Sequence, residues 1–154
     1  MSGTCAIFTA MRKTIPIHFF KEGVQFRLMK QQELKAWIGN AFSENKIRIE
    51  SINYIFCSDR YLLKLNRDFL GHNYLTDIIT FDNSSGRGAA TADIFISKDR
   101  VLANAKKFKI DFSEELHRVM IHGALHLIGY SDKSTNDARR MREAEDHWLG
   151  KRSF

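Results

Sequence analysis

Proline occurs once, cysteine twice and glycine nine times in the 154 residues. That scarcity excludes collagen-like and low-complexity chains, and 44% hydrophobic with 27% charged residues excludes a largely disordered one. Long apolar runs are lacking as well. The longest, 119–128, is interrupted by two histidines and falls far short of the ~20 apolar residues a bilayer helix needs. Cys5 and Cys57 share no metal-ligand spacing and are too few for a secreted disulfide scaffold, which points to a reducing, cytoplasmic setting. The apolar stretch 5–10 is too short for a secretory core, and Arg12 and Lys13 follow it where a leader would have its charges in front. Residues 1–14 therefore read as a loose N-terminal tail, with Met11 a candidate natural start, and 15–154 as one domain.

A chain of this length can bury roughly two-thirds of the surface it exposes when unfolded, enough for a core without staples. Twenty-four Lys and Arg against 18 Asp and Glu give a net charge of +6, a field that favours phosphate-rich partners. No repeat and no Pro, Gly or Ser-rich linker divides the sequence. Four segments read as strands: 15–20, 47–56, 77–82 and 92–97. The apolar phase slips between Ile49 and Ile52, the mark of a bulge. The stretch 83–88 suits an antiparallel hairpin loop.

Helices show by period and by caps. Leu34, Trp37, Ile38, Ala41 and Phe42 share one face of a helix over 28–44. Ser58 is placed to cap a helix carrying Leu62, Leu65 and Phe69, and Ser97 one carrying Val101, Ala105 and Phe108. Ser113, with Glu114 and Glu115 in the first turn, opens a helix that runs to Gly129. Ser134 or Thr135 opens the last, with Ala138, Met141 and Trp148 as its buried face. The order predicts an α+β fold: a small mixed four-stranded sheet packed with about five helices.

The fourth helix carries the chemistry. In the run Val119–Ile128, His122 and His126 are the only polar side chains. A helix apolar nearly all round is expected to be buried, and two imidazoles in a core need hydrogen-bond partners or a metal. One buried histidine is commonly satisfied by a backbone carbonyl. Two at i and i+4 stand on one face, where both ring nitrogens can reach one ion at about 2.0–2.1 Å. A zincin would place its general-base glutamate directly after the first histidine, and here that residue is Gly123. A catalytic zinc needs a third protein ligand and an open position. Past Gly129, which turns the chain, Asp132 is the first side chain able to ligate; Glu143, Glu145 and His147 are its rivals.

At these residues the chain resembles the YbeY family of bacterial endoribonucleases, whose signature is His-x-x-x-His-x-x-Gly-Tyr-Asp-His. His122, His126, Gly129 and Tyr130 match it. The likeness extends to Leu65-Asn66, to 76–81, similar to Thr-Asp-Val-Leu-Ser-Phe, and to 93–97. Without gaps, Asp132 falls on the family's third histidine ligand and Ser131 on its aspartate; a one-residue insertion would instead put Lys133 in the ligand position. Carboxylate oxygen can replace imidazole at zinc, which favours the ungapped reading. Leu70 stands where the family has an arginine implicated in RNA work; Arg67, His72 and Arg87 lie in or near the segments expected around the site, and none is assigned as its replacement.

The resemblance implies one zinc ion per chain held by His122, His126 and Asp132, and single-strand-specific hydrolysis of RNA in ribosomal RNA 3′-end maturation and ribosome quality control. Ribosomal RNA and the ribosome or its assembly factors would be the partners, with no membrane. No side chain is assigned as general base. Two other readings stand beside it: a ribosome-associated RNA-binding protein with a structural zinc, and a non-haem iron site of the two-histidine, one-carboxylate kind.

Overall fold

The structure is a computed structural model that describes residues 13–154, so the expected tail lies outside the described residues except for Lys13 and Thr14, which carry no regular structure. Four strands, β1 (Ile17–Lys21), β2 (Arg48–Cys57), β3 (Ile78–Asp82) and β4 (Ala89–Ser97), form one sheet in the order β1-β2-β4-β3. β1 with β2 and β2 with β4 run parallel, while β3 pairs antiparallel with β4 through the 83–88 loop. The sheet is thus mixed, and the fold is α+β as the sequence predicts. The register shift between Ile49 and Ser51 is the bulge announced by the slipped apolar phase.

Five helices, α1 (Gln31–Glu44), α2 (Asp59–Leu70), α3 (Lys98–Phe108), α4 (Phe112–Ile128) and α5 (Thr135–Gly150), cover the sheet. Strand alternation divides the two faces. Ile52, Tyr54 and Phe56 of β2 and Ala90, Ile94 and Ile96 of β4 point into the main core with α1 and α4. Phe95 and Ile79 point the other way, onto Leu62 and Leu65 of α2. Burying the apolar side chains of the main core is the dominant stabilising term, at about 1.5–3 kcal/mol for each large one. Two buried polar bonds fix the helix layer: Tyr54 donates its hydroxyl to the Met120 carbonyl at 3.0 Å, and Trp37 its indole N–H to the Trp148 carbonyl at 2.8 Å.

Several local expectations are corrected. α4 begins one residue before Ser113, with Asp111 as its N-cap, because Phe112 turns inward and meets the edge of Phe26. α1 starts at Gln31, after Lys30 in the left-handed region. Ala138 is exposed; the inward positions of α5 are Met141, Glu145 and Trp148, spaced four and three apart. Phe69 and Phe108, placed on helix faces by period, are exposed at the ends of their helices. Ser58, Ser97 and Ser134 cap as expected, each accepting a backbone N–H three residues on.

No helix among the described residues is long and apolar enough to cross a membrane.

Candidate metal centre

α4 turns Leu116, Val119, Met120, Ile121, Ala124 and Leu125 into the core, and this seats it against the sheet. Gly123 permits the close approach. A Cβ there would lie 2.8 Å from Ile78 Cδ1 and 3.2 Å from Ile94 Cγ2, so the position that holds the base in a zincin faces the sheet and has no room for a glutamate. His122 and His126 lie on the adjoining face of the helix, beside β3. Their rings are not sunk in the core, as the apolar run suggests, but are 21% and 30% exposed in a cleft of about 490 Å³. The opposite wall comes from the α2–β3 connection and β3. Gly129, at φ 121°, ends α4 and redirects the chain so that Asp132 returns to the same cleft.

The three side chains converge. His122 Nε2 and His126 Nε2 are 3.0 Å apart, and Asp132 Oδ2 is 3.5 Å from the first and 3.4 Å from the second. Ligand atoms at about 2.0–2.1 Å from a tetrahedral ion stand roughly 3.3–3.4 Å from one another, so this triangle matches one face of a zinc tetrahedron. The protonation pattern fits too. His122 Nδ1 faces the Glu145 carboxylate at 2.7 Å, and His126 Nδ1 faces the Tyr130 carbonyl at 3.0 Å. Both partners are acceptors, which assigns the hydrogen to Nδ1 and leaves the lone pair of each neutral ring on Nε2. Two ring lone pairs and a carboxylate oxygen at this range make a donor set that could hold a cation.

Behind the histidines lies a charged support. Glu145 is only 4% exposed, and its second oxygen accepts from Arg118 at 2.9 Å and Arg142 at 3.4 Å; Arg118 also reaches Asp146 at 2.8 Å. Burial would depress the His122 pKa, but the Glu145 hydrogen bond and charge, with Asp132 and Asp77 adding to it, outweigh burial and raise it. For Glu145 burial pushes upward, while His122 and Arg118 prevail and hold the carboxyl below its ordinary range. Asp77 lines the cleft between β3 and His122; burial raises its pKa against the opposing charge of His122.

Of the rivals for the third ligand, Glu143 and His147 are exposed on α5 and stand outside the cluster. Glu145 is close, but it meets Nδ1 of His122 rather than the Nε2 triangle. Ser131 and Lys133 flank Asp132 and do not line the cleft. His72 lines the far wall with Leu70, whereas Arg67 and Arg87 do not line the cleft. Sequence reading missed Asp77, although it lies within a segment quoted for its likeness to the family.

The chain has relatives among known proteins. The model of the family described as Endoribonuclease YbeY matches residues 20–153. The chain belongs to the YbeY family. A YbeY protein of Cytophaga hutchinsonii, named Endoribonuclease YbeY, is 51% identical over 138 residues, which span 90% of this chain and 96% of that one. Bearers of the same name from Flavobacterium psychrophilum and Porphyromonas gingivalis are 47% and 42% identical, over 84% and 86% of this chain and 92% and 87% of theirs. The solution structure of a Thermotoga maritima protein superposes with a TM-score of 0.57 at 26% identity, covering 86% of each chain. The YbeY match takes in every element from β2 to α5, and so the entire cleft.

Proposed function

We propose that this protein is a zinc-dependent endoribonuclease that hydrolyses single-stranded RNA, with precursor ribosomal RNA as substrate in 3′-end maturation and ribosome quality control, working in the cytoplasm on the ribosome or its assembly intermediates. The observation that carries the metal reading is the triangle of His122 Nε2, His126 Nε2 and Asp132 Oδ2 with both Nδ1 atoms already engaged. The relatives' name supplies the reaction class. Zinc in such a site contributes Lewis acidity, which acidifies water and polarises a phosphoryl oxygen.

The residues divide the remaining work. His122 and His126 ligate through Nε2, and Asp132 adds an anionic oxygen from the loop. Glu145 holds His122 in the ligating tautomer and orientation through Nδ1–H, itself held by Arg118. The cleft that the triangle lines runs along β3 and has room for a strand. A structural zinc in a purely RNA-binding protein would be closed by four protein ligands. Among the described residues, the cluster that converges has three.

Metal analysis paired with cleavage of an unstructured RNA tests the reading in the parent, His122→Ala and His126→Ala. About one zinc per chain is expected in the parent, with both metal and cleavage lost in the variants and thermal stability lowered, since a bound ion stabilises the folded state by linkage. Full zinc occupancy in the doubly substituted protein, or undiminished cleavage, would overturn it.

A further inference from the structure

The cleft wall holds three aspartates, Asp77, Asp82 and Asp132, and among the described residues no lysine or arginine lines it. Arg118 and Arg142 line the adjoining hollow that shares Asp77, Ile78, His122 and Asp132, so side-chain cations flank the histidines on that side only, and the wall formed by the α2–β3 connection gives a polyanion none. What the wall offers instead is ring surface. His72 and Tyr74 stack with centroids 5.2 Å apart and planes 20° from parallel, and the Tyr74 hydroxyl lies 3.0 Å from His72 Nδ1. Both rings line the cleft opposite the histidine pair, and Tyr74 is 57% exposed.

Exposure does not leave the pair loose. Asn66, a buried residue of α2, donates its amide to the Tyr74 carbonyl at 2.9 Å and accepts the His72 N–H on its backbone oxygen at 3.0 Å. The Arg67 guanidinium holds the Asn73 carboxamide between them. An apolar ring face is therefore fixed in position and turned to solvent within a few residues of Leu70 and Leu75, which are exposed as well.

We propose that the His72–Tyr74 pair is a nucleobase platform, on which one unpaired base of the strand stacks while its neighbouring phosphodiester lies at His122, His126 and Asp132. The inference rests on the RNA-cleaving reading of the cleft. Bases in a duplex already stack on one another and offer no free face, so the platform selects single strands; all four bases have a π-face, so it reads little sequence.

Binding of a short, fluorescently labelled, 2′-O-methylated single strand, measured by anisotropy across salt concentrations, tests the platform beside cleavage of unmodified RNA and zinc content. Tyr74→Ala should weaken binding about 5- to 150-fold. Tyr74→Phe should keep most of the affinity, and Tyr74→Leu, which keeps bulk without a ring, should resemble the alanine variant. Zinc content and the slope of affinity against salt should match the parent in all three, because no phosphate contact is removed. Parent-like binding by Tyr74→Ala or Tyr74→Leu overturns the platform while leaving a cleaving parent intact. A parent that neither binds nor cleaves RNA overturns the platform and the RNA reading together.

Discussion

His122 and His126 leave a helix whose intervening residues are buried, and each ring is pinned at Nδ1 by a partner within 3.0 Å. Asp132 leaves a stretch without regular structure three residues past Gly129, its side chain is 44% exposed, and the partners within 4.0 Å of its carboxylate are the two Nε2 atoms. One half of the centre is held by packing whether or not an ion is present. The other is held by the charge it meets. In the proposed metal site the rigid histidines would fix where an ion sits, and the loop carboxylate would add affinity and neutralise charge, with freedom to adjust its distance.

Breaking the rigid half should have the larger effect. Glu145→Gln keeps size and one acceptor but removes the charge that secures the His122 tautomer, and leaves Arg118 with a weaker partner. A loss of about 10- to 100-fold in zinc affinity is expected. Titration with a competing chelator measures it, and an unchanged affinity would mean that His122 needs no support.

Gly123→Ala probes the seating of the same helix. Alanine favours the helix by about 0.8–1.0 kcal/mol. The added methyl meets Ile78 and Ile94, and overpacking a tight site costs about 1–3 kcal/mol. The variant should therefore melt below the parent. A rise in melting temperature would show that β3 yields freely and that the histidine edge is less fixed than its packing implies.

The smallest effect lies at the far end of α4. His117, half-buried against Trp37 and Phe154, has its pKa lowered to about 4 by burial, with the Arg152 charge adding to it. Its folded pKa is below the ordinary value of 6.5, so the unfolded chain binds more protons between the two. Its contribution to stability is present above about pH 6.5 and is lost as pH falls towards 4. Thermal melts over that window should show a shallower acid slope for His117→Phe, with little change in zinc content at neutral pH. An equal slope would place the acid sensitivity elsewhere.

How much of this could be read in the sequence follows the same division. The sheet, the helices, the bulge at Ile49–Ser51 and three serine caps are local signals of period and capping, and they stand in the structure. The histidine pair is legible because i,i+4 spacing on a helix is itself geometry. Glu145 was visible as chemistry but not as a role, since the docking of α5 on α4 decides which imidazole nitrogen it meets across 23 residues. The same docking leaves Ala138 outside, a matter of the angle of α5 that its own period does not encode. Asp77 and the His72–Tyr74 stack depend on where the α2–β3 connection lies across the cleft, which no spacing records.

The central claim is that a loop carboxylate completes a site begun by two helix histidines, and Asp132→Asn tests it most directly. Asparagine keeps the shape of aspartate and its hydrogen-bonding capacity but is a poor zinc ligand, so zinc affinity measured by calorimetry should fall and RNA cleavage should fall with it. Affinity and cleavage equal to the parent's would remove Asp132 from the site and contradict the account.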